Sequence, residues 1–537
     1  MDRRARMNPA LLTVPILGAL ILLSACAPDA VQRVGEQDGR CDLLITGGIV
    51  VDGTGNPAVP ADVLVCDGRI QYVGEADPDT IDAEETFDAS GLVVAPGFID
   101  AHAHGDPSDP DTNGFENFLA QGVTTIVLGQ DGGSPRAGEF DAHLDSVEAA
   151  GPGVNVAYLV GHNTIRRESG VEFADPGTEG LVRMTELVAQ GLEAGAFGLS
   201  TGLEYDPGSR AGVDELVAIA RPVAEIDGVV SSHLRSEDAD RVEESLDELI
   251  EQGRRSGARV HASHLKIVLG SDTVRAAALL DQMARARAEG VEVTADVYPY
   301  TASYTGIGIL FPVWAKPPND YDAVLADRRD ELAAYLRDRV ESRTGPVATR
   351  FGTDELAGRT LADVAEERGM PYEDVLIDLG PDGASAAYFV MDENVMSWLL
   401  RDPYVAVSSD GSPTMQHPRG YGSFARVMRR FVVWEEVLEL EEAVRKMSGL
   451  TASIFGFDDP ARIDVPRGQV HQGWAADLIA FDPADVNDAA DFERPHLPAE
   501  GMRAVWVNGR LAWRDGKPAD GVSTGGEGNG RVLRARR

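Results

Sequence analysis

Five of the chain's ten histidines stand where short apolar runs end. His102 and His104 close APGFIDAHAH, His162 closes VNVAYLVGH, His233 ends VVSSHL, and His264 ends RVHASHLK. Asp131 follows VTTIVLGQ, Asp296 lies within VEVTADVYPY, and Asp410 ends YVAVSSDG. Imidazole nitrogens and carboxylate oxygens are ordinary ligands of zinc and related ions, and they are also the usual proton carriers of hydrolysis. Residues two apart on a strand share a side, so His102 and His104 present both rings to one place. A lone pair of this kind also occurs among packed core histidines; its company on the other runs is what points to a metal. His261, three before His264, faces away from it and is set aside. His143, His471 and His496 lie away from strand ends and read as solvated or structural.

The elements that must position these residues alternate between short apolar strands and amphipathic helices. Eight strand patterns between residues 96 and 463 predict an α/β fold, a (β/α)8 barrel, whose active groups sit at the carboxyl ends of the strands. An open doubly wound sheet is disfavoured because no glycine-rich phosphate loop follows the first strand. A longer stretch, about 315–395, reads as an insertion before the last strand, either shaping the substrate pocket or serving structure alone. Alternating β-type runs in 41–95 and again in 464–537 predict one small β-rich domain built from both ends of the chain.

The ordered set LITGGIVVDGTG, VAPGFIDAHAH, GVTTIVLG, NVAYLVGHNTIR, GAFGLSTGLEYDPG, SHLRSE, SHLK, DVYPYTA, SSDG with HPRGYGSFARV, and VWVNGRLAWRDGKP resembles the amidohydrolase superfamily. Within it, the chain is similar to the N-acyl-D-amino-acid deacylases, or D-aminoacylases, from about Asp42 to the C-terminus. The resemblance implies one tightly held zinc on His233 and His264 and a weaker second position on His102, His104 and Asp410. It also implies a cysteine ligand after the second strand, where this chain has Asp131. A carboxylate is a harder ligand than a thiolate, can bridge two ions, and opens the site to manganese or cobalt; Asp131 equally suits a turn before Gly132. No lysine stands in residues 196–202, where cyclic-amide hydrolases of the superfamily carry a bridging carboxylated lysine.

The chemistry that follows is hydrolysis of an N-acyl-D-amino acid to a carboxylate and a free D-amino acid. A zinc-bound water is the nucleophile and Asp410 the general base. His162 is a candidate to polarise the scissile carbonyl, or a packing residue. Lys266 and Arg419 are candidates to hold the substrate carboxylate, and Tyr298, Tyr300 and Ser303 to orient the substrate. Dipeptides ending in a D-residue, L-configured amides, and a binding protein without turnover stay open as alternatives. The sequence leaves oligomeric state unread.

Residues 1–25 read as a signal peptide: Arg3, Arg4 and Arg6 precede an apolar run from Leu11 to Leu23, too short for a comfortable membrane span. The run ends at Ser24, Ala25 and Cys26, which resembles the lipobox of bacterial lipoproteins. The expectation is an exported, membrane-anchored lipoprotein with lipid on Cys26 and a tether over 26–40. Cys41 and Cys66 are then free to pair in an oxidising compartment or to pack as small apolar residues. A formal net charge of -40 argues against nucleic acid as a partner.

Overall fold

The computed structural model describes residues 41–78, 81–519 and 528–536. The expected signal peptide, Cys26 and the tether lie outside the described residues.

Eight parallel strands form the barrel: β1 (Phe98–Asp100), β2 (Val123–Leu128), β3 (Asn155–Tyr158, resumed at Val160–Gly161), β4 (Gly198–Gly202), β5 (Val229–His233), β6 (Arg259–Ala262), β7 (Val293–Val297) and β8 (Val405–Val407). Each pairs in parallel with the next. The break in β3 falls at Leu159, whose N–H still donates to Leu128 O at 2.9 Å, so β2 and β4 stay joined through one strand. Beyond their last ladder residues, β8 and β1 close the ring. Asp410 N donates to His102 O and His104 N to Gly411 O, both at 2.8 Å.

The strands are buried on both faces, which is why they read as continuous apolar runs. The helices outside them bury one stripe. In the helix Val242–Ser256, the inward positions include Val242, Leu246, Leu249, Ile250 and Gly253, and Gly257 ends it with φ 81°. The helix Thr273–Ala288 starts where Asp272 accepts from Val274 N.

The β-rich domain is one nine-stranded sheet drawn from both ends of the chain. Its two halves meet where Leu478–Phe481 runs antiparallel to Val93–Pro96, immediately before β1. Asp477 anchors this seam to the barrel, accepting from Asn155 Nδ2 at 3.2 Å and from Arg467 Nη1 at 2.5 Å. Residues 531–533 run beside Val156 of β3, a course the sequence pattern does not reveal.

The excursion between β7 and β8 begins before the expected residue 315. Ser303–Gly306 pairs with Ser385–Tyr388, which pairs in turn with Thr349–Phe351. The excursion carries its own core, including Leu332, Leu336, Phe351, Val375 and Leu376.

Cys41 and Cys66 form a disulfide between adjacent strands, closing a sequence separation of 25. Crosslinking a loop of that size restricts the unfolded chain by about 3–4 kcal/mol. We expect the double variant Cys41→Ser, Cys66→Ser to show a lower thermal midpoint and a lower denaturant midpoint than the oxidised protein. Unchanged midpoints would show that the bond restrains nothing the folded sheet does not already restrain.

Candidate metal centre and active-site cavity

Every barrel strand that carries a candidate ligand releases it within a few residues of its carboxyl end. Three of these residues adopt left-handed backbone conformations that side chains other than glycine seldom take: Asp131 (φ 53°), His264 (φ 37°) and Asp410 (φ 48°). Each costs on the order of 1–3 kcal/mol, so the surrounding structure must enforce them. Gly132 follows Asp131 with φ 77°, and a Cβ there would meet Asn163 Oδ1 at 2.6 Å. The turn that aims Asp131 therefore depends on glycine.

Two buried carboxylates brace the ligands from below. Asp100 accepts from His102 N at 3.1 Å and from Ser409 N at 2.9 Å. Asp296 accepts from His264 N at 2.9 Å and pairs with His261 at 2.7 Å. His261 thus serves the brace and stands outside the ligand groups.

The ligand atoms converge around Asp131. Its Oδ2 lies 3.5 Å from His102 Nε2 and 3.4 Å from His104 Nε2. Its Oδ1 lies 3.4 Å from His264 Nε2 and 3.6 Å from His233 Nδ1. Asp410 Oδ1 completes the first group, 3.2 Å from His104 and 3.7 Å from His102. Two sets therefore share one carboxylate: His102, His104, Asp131 and Asp410, and Asp131, His233 and His264. A cation fits this arrangement for a reason visible in the protein itself. His102 is fully buried, and among the described residues neither of its ring nitrogens has a hydrogen-bond partner. Burial of an unpaired polar group is unfavourable unless a ligand satisfies it.

The electrostatics agree. Although burial alone would lower them, bonds to Asp131 and Asp410 raise His104 to about 10, and nearby Glu237, Asp131 and Glu204 raise His233 to about 10. Burial opposes ionisation of Asp131 and Asp410, yet the surrounding histidines hold Asp131 well below the usual carboxylate range. Arg419, 2.7 Å from Asp410 Oδ2, does the same for Asp410. Without metal, protons supply the positive charge that this cluster is shaped to receive.

A cavity of about 380 Å³ opens onto the cluster. Lys266, Arg419, Tyr298 and Ser303 line it, as do His104, Asp131, His233, His264 and Asp410. Lys266 and Arg419 are not free cations, however. Lys266 Nζ lies 2.5 Å from Glu237 and 2.8 Å from His264 Nδ1, and Arg419 pairs with Asp410.

The structure does not bring two expected residues to the site. His162 is the first residue of the helix His162–Glu168, because β3 ends at Gly161 and the chain turns at once. Its Nε2 bonds Glu215 at 2.8 Å, and Arg166 shares that carboxylate. Tyr300 also departs from the expectation. The strand stops at Val297, and Tyr300 N bonds Tyr298 O in a tight turn, so the two rings diverge. Tyr300 packs edge-on against His417 and under Arg426.

Sequence reasoning missed Glu204, Tyr205, Glu237, Asp238 and Arg343, all of which line the cavity. The available signal was an acidic residue just past the ends of β4 and β5. Arg343 had none, because it arrives from the excursion.

Fold and ligand cluster together define a barrel enzyme built to hold divalent metal at the base of a cavity lined by the ligands. The chain belongs to the amidohydrolase family, whose model matches residues 85–512. It is similar to N-acyl-D-glutamate deacylase of Alcaligenes xylosoxydans xylosoxydans, 35% identical over 89% of this chain and 95% of that protein. A crystal structure of N-acyl-D-glutamate deacylase from Bordetella bronchiseptica, with zinc and a phosphonate mimic of the tetrahedral intermediate, matches with a TM-score of 0.79. Identity is 33%, and the match covers 93% of this chain and all of that one. A D-aminoacylase structure, described by one-metal activation and second-metal attenuation of its binuclear centre, matches at 32% identity. Its TM-score is 0.77, over 92% of this chain and 100% of that one.

We expect His264→Ala and Asp131→Ala each to lower metal bound per chain by at least half, measured by elemental analysis of purified protein. His162→Ala should leave metal content at the wild-type value, since its ring bonds Glu215 and belongs to neither ligand group. Loss of metal from the His162 variant, with its fold intact, would contradict this division.

Proposed function

We propose that the chain hydrolyses the amide bond of N-acyl-D-amino acids, giving a carboxylate and a free D-amino acid. The observation that carries this reading is Asp131 shared between two histidine pairs, with Asp410 beside them, all facing one cavity. Its similarity to deacylases of N-acyl-D-amino acids supplies the substrate class.

His233, His264 and Asp131 would hold one zinc ion, and His102, His104, Asp131 and Asp410 a second, weaker one. Zinc bound by these residues would supply a water of lowered pKa, about 7, and a Lewis acid for the scissile carbonyl. With a carboxylate in place of the thiolate that the resemblance supplies, manganese and cobalt become competent alternatives.

The chain's own groups do the rest. Asp410 is ionised at neutral pH and anchored through Oδ2 by Arg419, leaving Oδ1 on the cluster side to accept a proton. It takes that proton from the attacking water and returns it to the nitrogen of the departing amine, so the amine leaves neutral. Arg419 and Lys266, paired yet lining the cavity, provide donors for the substrate carboxylate. Tyr298 lies under both cations, 4.8 Å from Arg419 and 5.7 Å from Lys266, and limits where they can reach. Ser303 and Tyr304 close the side opposite the barrel.

We also read the chain as an exported lipoprotein anchored through Cys26. The residues before Cys26 support this, and so does the disulfide, which suits an oxidising compartment.

With zinc supplied, purified protein should release free amine from N-acyl-D-amino acids and from L-isomers far more slowly. Asp410→Asn should lower kcat by about 10²- to 10⁴-fold while the metal on His233 and His264 stays. Equal turnover of both enantiomers would sink the stereochemical part of the reading; no turnover of any amide would sink the whole.

A further inference from the structure

The two halves of the ligand cluster differ in what stands behind the histidines. His233 turns Nδ1 inward, 3.1 Å from His264 Nε2, and its outer nitrogen, Nε2, lies 3.1 Å from Glu204 Oε2. His264 turns Nε2 inward, and its outer nitrogen, Nδ1, lies 3.0 Å from Glu237 Oε1. On the other half, His102 Nδ1 has no partner among the described residues.

A neutral imidazole carries one proton, and the nitrogen that carries it cannot bind a metal. A carboxylate on the outer nitrogen holds the proton there and leaves the inner lone pair free. For His264 this assignment is contested. Lys266 Nζ, 2.8 Å from the same Nδ1, is a donor and favours the opposite tautomer, with the proton facing the metal. For His233 no such competing donor appears among the described residues; its outer nitrogen bonds the Glu204 carboxylate. Glu204 stands two residues past β4, and its neighbour Tyr205 packs its ring 4.6 Å from that of His233, so the imidazole is packed against one face as well as bonded at Nε2.

We propose that Glu204 is a positioning residue: it fixes the tautomer of His233 that binds metal through Nδ1, and so makes this half of the centre the tighter one. The role rests on the metal-dependent reading above and adds a residue to it. Glu204 acts through His233 and needs no contact with substrate, although it lines the cavity.

The test is metal binding by the metal-free protein, titrated with zinc against a chromophoric chelator, together with the visible spectrum of the cobalt-loaded form. Glu204→Gln keeps the size and an acceptor oxygen but removes the charge that favours the outer proton. It should weaken the first zinc-binding event by about 10- to 100-fold and alter the cobalt spectrum. The KM of the zinc-saturated enzyme should stay within about twofold of wild type, consistent with a role exerted on the metal rather than on the substrate. Glu204→Asp, which keeps the carboxylate, should recover part of the affinity. The circular dichroism and thermal midpoint of the metal-free variants report whether they fold, and Glu204→Asp carries the test if Glu204→Gln does not.

Wild-type affinity and spectrum in Glu204→Gln would overturn the proposal, and more so if KM rose, which would make Glu204 a substrate contact. Failure of the wild-type protein to bind zinc at all would instead overturn the metal-dependent reading on which the proposal stands.

Discussion

The hydrogen bond from Asp410 N to His102 O is where the barrel closes, and the site exists because it closes there. Strands β1 and β8 contribute few ladder residues of their own, so the ring is completed by backbone that already belongs to the metal centre. Asp100 reinforces the junction by accepting from His102 N and from Ser409, and Asp296 does the same for His264 N and Ser408. These are two carboxylates taken wholly out of water, an arrangement that is tolerated only when donors surround them. Here the partners are the backbone and hydroxyl groups flanking the ligands and, for Asp296, the His261 ring. The polar interior is thus the device that fixes register at the top of the barrel, and fold and site are stabilised by the same bonds.

Closure also explains why a pocket forms above the cluster. The chain between β7 and β8 returns to the barrel only after building a separate sheet and core, and that sheet starts at Ser303, six residues past β7. Ser303, Tyr304, Thr305, Ile309 and Arg343 then face the ligands across the cavity. The excursion is a wall with a sheet and a core largely its own, so the shape of the cavity is set in part by residues outside the barrel.

Much of this was legible in residue types and spacing. His102 and His104 announced a shared side, and strand-end positions singled out Asp131, His233, His264 and Asp410. What stayed hidden was where strands stop. A run of apolar residues looks the same whether His162 ends a strand or opens a helix, and only the structure shows the turn at Gly161. Tyr298 and Tyr300 look equivalent by alternation, which fails once the strand ends at Val297. Lys266 sits on the side expected of it, but its partner Glu237 comes from another strand end, 29 residues away, so its charge could not be read as already matched. Glu204 and Arg343 resemble ordinary surface charges in sequence and become informative only through what they face.

Asp131 stands where the family resemblance implies a cysteine. A thiolate offers one sulfur to both sides of a centre, whereas a carboxylate offers one oxygen to each, and Asp131 is held so that Oδ2 meets His102 and His104 while Oδ1 meets His233 and His264. That orientation requires a left-handed backbone, which aspartate tolerates better than most side chains and which Gly132 extends. The local chain is therefore suited to the carboxylate in conformation as well as in chemistry. With two oxygens dividing the work, what distinguishes the two halves is left to the groups behind the histidines: carboxylates behind His233 and His264, and on His102 a ring nitrogen with no partner among the described residues. On the two-metal reading proposed above, a difference between the two positions would lie in the outer contacts of the ligands more than in the ligands themselves.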